Sequence, residues 1–213
     1  MNRYVNSDEA QQLMQEYAEH RTAIRSRLEE FRHVPRDRWF YEMAFCLLTP
    51  QSKARHCFLV AEELERRDFF QHPFDPAPML RSHAGGYVRF HNTKAQRLLE
   101  AREAWSRIEK RLDAEMEDKT LRTVIAETVN GLGLKEASHF LRNIGRTRVT
   151  IVDRHILRNL IRLDIVPEWP SSISRRRYLE TEALFEDLAS TLGIPADELD
   201  LLLWRRETGF LLK

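Results

Sequence analysis

Polar and apolar positions along this chain repeat with the period of a helix over nearly its whole length. Ser7 reads as an N-cap followed by Asp8 and Glu9. Apolar residues then return at Ala10, Leu13, Met14, Tyr17, Ile24, Leu28 and Phe31, and Pro35 lies just beyond the end. W-F-Y-E-M-A-F-C-L-L (39–48) is apolar on most faces, which predicts a central buried helix. T-P-Q-S (49–52) breaks it, and another helix begins at S-K-A-R-H-C-F-L. Residues 72–91 hold three prolines and a Gly-Gly pair, so the longest irregular connection is expected there. Further helices are predicted at about 93–112, 120–130, 134–144, 153–163, 174–192 and 196–208. No stretch alternates with period two over a strand length, and no internal repeat shows. The expected fold is all-α.

Composition narrows the classes. A length of 213 residues suits one large domain or two closely joined lobes, and 42% hydrophobic content can build their cores. No apolar run is long enough for a bilayer, and M-N-R-Y-V-N-S-D-E-A lacks the apolar core of a signal peptide. Cys46 and Cys57 form neither a disulfide framework nor a ligand cluster, so a reducing cytoplasm is the expected location. The eight histidines show no H-x-x-x-H spacing, and no metal centre is expected.

Charge is silent for the whole chain and informative locally. Lys plus Arg number 34 against 33 acids. Between Lys135 and Arg162, however, seven basic residues (Lys135, Arg142, Arg146, Arg148, Arg154, Arg158, Arg162) face two acids (Glu136, Asp153). Arg154, Arg158 and Arg162 share one helix face. That face is either a solvated surface or one that tracks phosphates.

The stretch N-G-L-G-L-K-E-A-S-H-F-L (130–141) is electrostatically odd. A cation at a helix N-terminus meets amides that already carry partial positive charge, which disfavours the ammonium form. Gly131 and Gly133 are able to take positive φ, and the amides around Gly131–Lys135 would then present donors to a DNA phosphate, with or without a bridging monovalent cation. A helix C-cap followed by a tight turn accounts for the glycines equally well. Lys135 is a surface lysine or a nucleophilic amine able to form a Schiff base. Asp153, in R-V-T-I-V-D-R-H-I-L-R eighteen residues later, is an N-cap or a carboxylate with a catalytic task.

G-L-G-L-K-E-A followed by I-V-D-R-H-I-L-R resembles the helix-hairpin-helix superfamily of DNA glycosylases. The resemblance implies two helical lobes within 1–213, a hairpin at about 120–145 and an active site in the cleft between the lobes. It implies Lys135 as nucleophile and Asp153 as catalytic carboxylate. The cysteine quartet of the iron–sulfur branch is absent, and little glycine or proline precedes Asp153. The ending D-L-L-L-W-R-R-E-T-G-F-L-L-K, with F-C-L-L-T-P-Q-S-K-A (45–54), V-R-F-H-N-T-K-A (88–95), E-A-S-H-F-L-R-N-I-G (136–145) and S-R-R-R-Y-L-E (174–180), is similar to the second, archaeal-type family of 8-oxoguanine DNA glycosylases.

This narrower resemblance implies that Lys213 reads the base, that Trp204 stacks on it and that Phe90 forms an opposite wall. Gln51 would enter the gap left by the flipped nucleotide, and Gly131, Gly133, Arg148 and Arg154 would bind DNA. A free α-carboxylate at Lys213 would accept the N7–H of 8-oxoguanine and repel the N7 lone pair of guanine. The implied activity is excision of 8-oxoguanine from damaged double-stranded DNA, then strand cleavage by β-elimination, by a monomer needing no metal or organic cofactor and acting at the nucleoid. A glycosylase for another oxidised base and a non-catalytic helix-hairpin-helix module are the alternatives.

Overall fold

A computed structural model describes residues 8–82, 86–167 and 173–211, and these fold as helices with no strand among the described residues. The chain divides into two compact units, one formed by Val34–Ile144 and the other by Met1–His33 with Gly145–Lys213.

The Val34–Ile144 unit contains α2 (Trp39–Leu48), α3 (Ala54–Arg66), α4 (Ala77–Arg81), α5 (His91–Leu112), α6 (Asp118–Thr128) and α7 (Leu134–Asn143). Helix α2 is its axis, as the all-round apolar pattern predicts, and every residue from Phe40 to Leu48 is buried. Helices α3, α5 and α7 pack against it. The Phe40 ring meets Tyr41, Phe70 and Trp105 at centroid separations of 5.3, 5.0 and 5.6 Å. Each large apolar side chain enclosed in this way contributes about 1.5–3 kcal/mol. Glu42 is tolerated inside because Asn143 Nδ2 donates to its Oε2 at 3.1 Å. Within the proline-rich connection the chain forms the short helix α4, packed on α5. Three nearby prolines therefore do not exclude a helix, since Pro76 stands just ahead of α4 and Pro78 occupies its first turn, where no intrahelical N–H is needed.

The other unit is discontinuous in sequence. Helix α1 (Asp8–Arg32) joins α8 (Arg154–Arg162), α9 (Arg175–Leu192) and α10 (Ala196–Thr208), which follow it by more than a hundred residues. Its core is built from Leu13, Ile24, Leu28, Ile156, Leu160, Phe185, Leu188 and Leu199–Leu203, with Asp200 the polar exception in that run. The predicted apolar positions Ala10, Leu13, Ile24, Leu28 and Phe31 are buried, whereas Met14 is 43% exposed. The proposed cap Ser7 lies outside the described residues.

Candidate active site

The hairpin predicted at about 120–145 forms from α6 and α7, which pack on each other. Leu132 N–H donates to the Val129 carbonyl at 3.1 Å and closes the turn. Gly131 takes φ +95°, where a Cβ would be strained and would also lie 2.5 Å from Arg97 Cδ. Gly133 does not take positive φ. It is extended (φ −91°, ψ −176°) as the N-cap of α7, the backbone state an N-cap requires. No side chain caps α7, so its first amides point outward without intrahelical acceptors.

Lys135 is the second residue of α7, with its side chain 29% exposed. Its Nζ lies 3.4 Å from Glu136 Oε1. This carboxylate sits in the first turn of α7, where a negative charge suits the helix N-terminus.

Asp153 caps α8. Its Oδ1 accepts from the His155 N–H at 2.7 Å and the Ile156 N–H at 3.0 Å. Oδ2 has no hydrogen bond among the described residues, so the N-cap role occupies one oxygen and leaves the other for chemistry. The segment ahead of it has neither prolines to restrict the backbone nor glycines to let it turn sharply, and α9 holds it instead. Tyr178 Oη donates to the Thr150 carbonyl at 2.7 Å and accepts from the Val152 N–H at 3.3 Å, while the Thr150 N–H donates to Glu182 Oε1 at 3.2 Å. Neither Tyr178 nor Glu182 stands out as a site residue in the sequence. Tyr178 lies in the S-R-R-R-Y-L-E stretch, where nothing marks its purpose before the fold brings α9 beneath Thr150.

His155, the second residue of α8, is 8% exposed, and burial holds its imidazole below the usual histidine range while the Asp153 charge acts in the opposite direction. Its ring meets Trp204 edge-on at 6.3 Å. Trp204 is partly buried, and its ring also meets that of Phe210 at 5.5 Å, itself 56% exposed. Lys213 lies outside the described residues.

Gln51 and Phe90 are exposed and share a rare backbone state, with φ +55° and +58°. A residue other than glycine in this region is uncommon, and Asp68 and Asp164 share it. Arg148 and Arg154 are exposed. The basic run is less open than its sequence implies, because Arg142 is buried and Arg158 and Arg162 both pair with Glu207 of α10. Among the described residues no group of three or more His, Cys, Asp or Glu could hold a metal, and no helix is long and apolar enough to cross a membrane.

The model of the 8-oxoguanine DNA glycosylase family matches residues 24–194. The chain belongs to that family. An 8-oxoguanine DNA glycosylase/AP lyase from Fusobacterium nucleatum is 36% identical, with 100% of this chain and 99% of the relative covered. The crystal structure of 8-oxoguanine DNA glycosylase from Methanocaldococcus jannaschii superposes with a TM-score of 0.83 at 32% identity, covering 95% of each chain. A second structure from that organism, in complex with a 15-mer DNA containing 8-oxoguanine, gives a TM-score of 0.79 at 29% identity, covering 95% of this chain and 100% of that one. Glycosylase relatives thus share both the all-α architecture and nearly the full length of this chain.

Proposed function

We propose that the protein is a bifunctional base-excision repair enzyme that removes 8-oxoguanine from duplex DNA and cleaves the strand 3′ to the abasic site. The observation that carries this reading is Lys135 in the uncapped first turn of α7, directly after a glycine turn, in a chain of this glycosylase family. An amine there is close to donors suited to a phosphate, which is where a deoxyribose carbon has to be presented.

Lys135 gives up a proton, with Asp153 assisting, and its nitrogen attacks C1′. The C1′–N9 bond breaks, and the departing base takes a proton. The nitrogen then loses a proton, and the C1′–O4′ bond opens with O4′ taking a proton. The resulting iminium acidifies C2′, and loss of a C2′ proton expels the 3′ phosphate as the C3′–O bond breaks. Asp153 Oδ2 also stabilises positive charge that develops on the sugar. Trp204, Phe90 and Lys213 contact the extruded base, Gln51 occupies the gap it leaves, and Gly131, Gly133, Arg148 and Arg154 hold the backbone. The enzyme works as a monomer in the cytoplasm, at the nucleoid.

Borohydride reduction tests the covalent step. Wild-type protein is expected to cross-link to an 8-oxoguanine duplex, and Lys135→Gln to give no adduct. Undiminished trapping by that variant would show that another amine is the nucleophile, and equal action on a thymine glycol duplex would defeat the choice of substrate.

A further inference from the structure

Lys94 is a buried cation that the proposed chemistry leaves unused. It is 2% exposed, and an ammonium in such a place persists only if its donors are satisfied. All three are. Lys94 Nζ donates to the Leu48 carbonyl at 2.6 Å, to the Pro50 carbonyl at 2.8 Å and to Ser52 Oγ at 3.0 Å. These acceptors bracket the turn Thr49–Ser52, closed by Ser52 N–H on the Thr49 carbonyl at 3.0 Å. Pro50 and the left-handed Gln51 are its two central residues, and glycine or asparagine is what such a turn favours at the second position. The same Ser52 Oγ accepts from the Arg89 N–H at 3.0 Å, and Lys94 N–H donates to the Phe90 carbonyl at 2.9 Å. The buried Lys94 side chain is therefore bonded directly into the Gln51 turn and reaches the Phe90 segment through the shared Ser52 Oγ. It links two of the four exposed non-glycine positions at positive φ among the described residues, the others being Asp68 and Asp164.

We propose that Lys94 is a positioning residue, a clamp that holds Gln51 in the register in which it fills the gap left by the extruded nucleotide, with the Phe90 segment tied to the same turn through Ser52 Oγ. The inference rests on the glycosylase reading above and adds a residue to it. Apart from Lys94, the side-chain hydrogen bond to turn residues Pro50 and Gln51 among the described residues is the long one from Ser52 Oγ to the Pro50 carbonyl, at 3.5 Å. Methionine would fill the same space and supply no donor, so the turn would be free to relax away from φ +55°.

The test is a double-mutant cycle read in single-turnover excision of 8-oxoguanine at saturating enzyme. Lys94→Met and Gln51→Ala are each expected to slow excision about tenfold, and the double variant to be no slower than about the worse single one. Affinity for an undamaged duplex is expected to stay within about twofold. Losses that multiply to about a hundredfold would overturn the clamp, because a general loss of folding quality adds to the Gln51 effect rather than replacing it. A Lys94→Met variant as fast as wild type would overturn it as well. Ser52→Ala covers the case in which Lys94→Met does not fold, since it removes one acceptor and the link to Arg89. It is expected to show a smaller loss that is likewise masked by Gln51→Ala, and an additive loss counts against the clamp. Wild-type protein that leaves the lesion duplex intact would instead refute the glycosylase reading itself.

Discussion

Two charged side chains near the hairpin and its neighbouring turn are handled in opposite ways. Lys135 stays partly exposed beside Glu136, whereas Lys94 is enclosed, and burial brings its pKa down to about 8. Around Lys94 stand Cys57 on α3, Arg97 on α5, Glu136 on α7 and Arg89 ahead of α5. Burial pushes the Cys57 thiol up to about 11, so it remains protonated while Lys94 titrates. The folded value lies below the unfolded one, so the folded state binds fewer protons between about pH 8 and 10.5. Stability linked to this group therefore rises across that window, while the clamp loses one of its three donors. Excision is expected to decline above about pH 8 with no matching fall in the urea midpoint, and Lys94→Met is expected to lack that alkaline decline. Parallel pH profiles of single-turnover rate and unfolding check both halves.

At the scale of elements, the hairpin and the segment before α8 use different devices. The α6–α7 turn relies on one left-handed glycine and one extended glycine, which are local solutions. The segment Val149–Val152 has none, and its geometry is imposed by hydrogen bonds from α9. Tyr178→Phe removes the hydroxyl that serves Thr150 and Val152 and leaves buried backbone groups unpaired. The expected cost is about 1–3 kcal/mol of stability, measured by denaturant unfolding. The rate of borohydride trapping is expected to fall about tenfold as Asp153 loses its placement, with duplex affinity retained. Normal trapping in a destabilised Tyr178→Phe protein would mean that α9 supports the fold without positioning Asp153.

At the scale of the molecule, nearly balanced charge means that DNA affinity depends on where basic residues are left open. Arg154 is exposed at the start of α8, while Arg158 and Arg162 share Glu207. Arg154→Ala is expected to reduce the steepness of log Kd against log salt by about one unit for an undamaged duplex. Arg162→Ala is expected to change it less, because Glu207 already neutralises part of that charge. Binding titrations at several salt concentrations separate the two, and equal slopes for both variants would remove Arg154 from the phosphate contacts. The candidate nucleophile and the candidate carboxylate belong to different compact units, with the change of unit between Ile144 and Gly145.

Helix positions, the buried character of 40–48 and the glycine turn were all legible along the chain. Each depends on local periodicity or on backbone freedom at single residues, and such information is linear. The extended state of Gly133, the neutralised face of α8, the Tyr178 bonds to Thr150 and Val152 and the Lys94 clamp on 48–52 were not. They join residues between 26 and 49 positions apart in three of these four cases, and no local pattern specifies such partners. Gly133, the fourth, was decided by the helix it had to cap. Tertiary packing selected these arrangements because burial forces each polar group to find a partner wherever the fold brings one within reach.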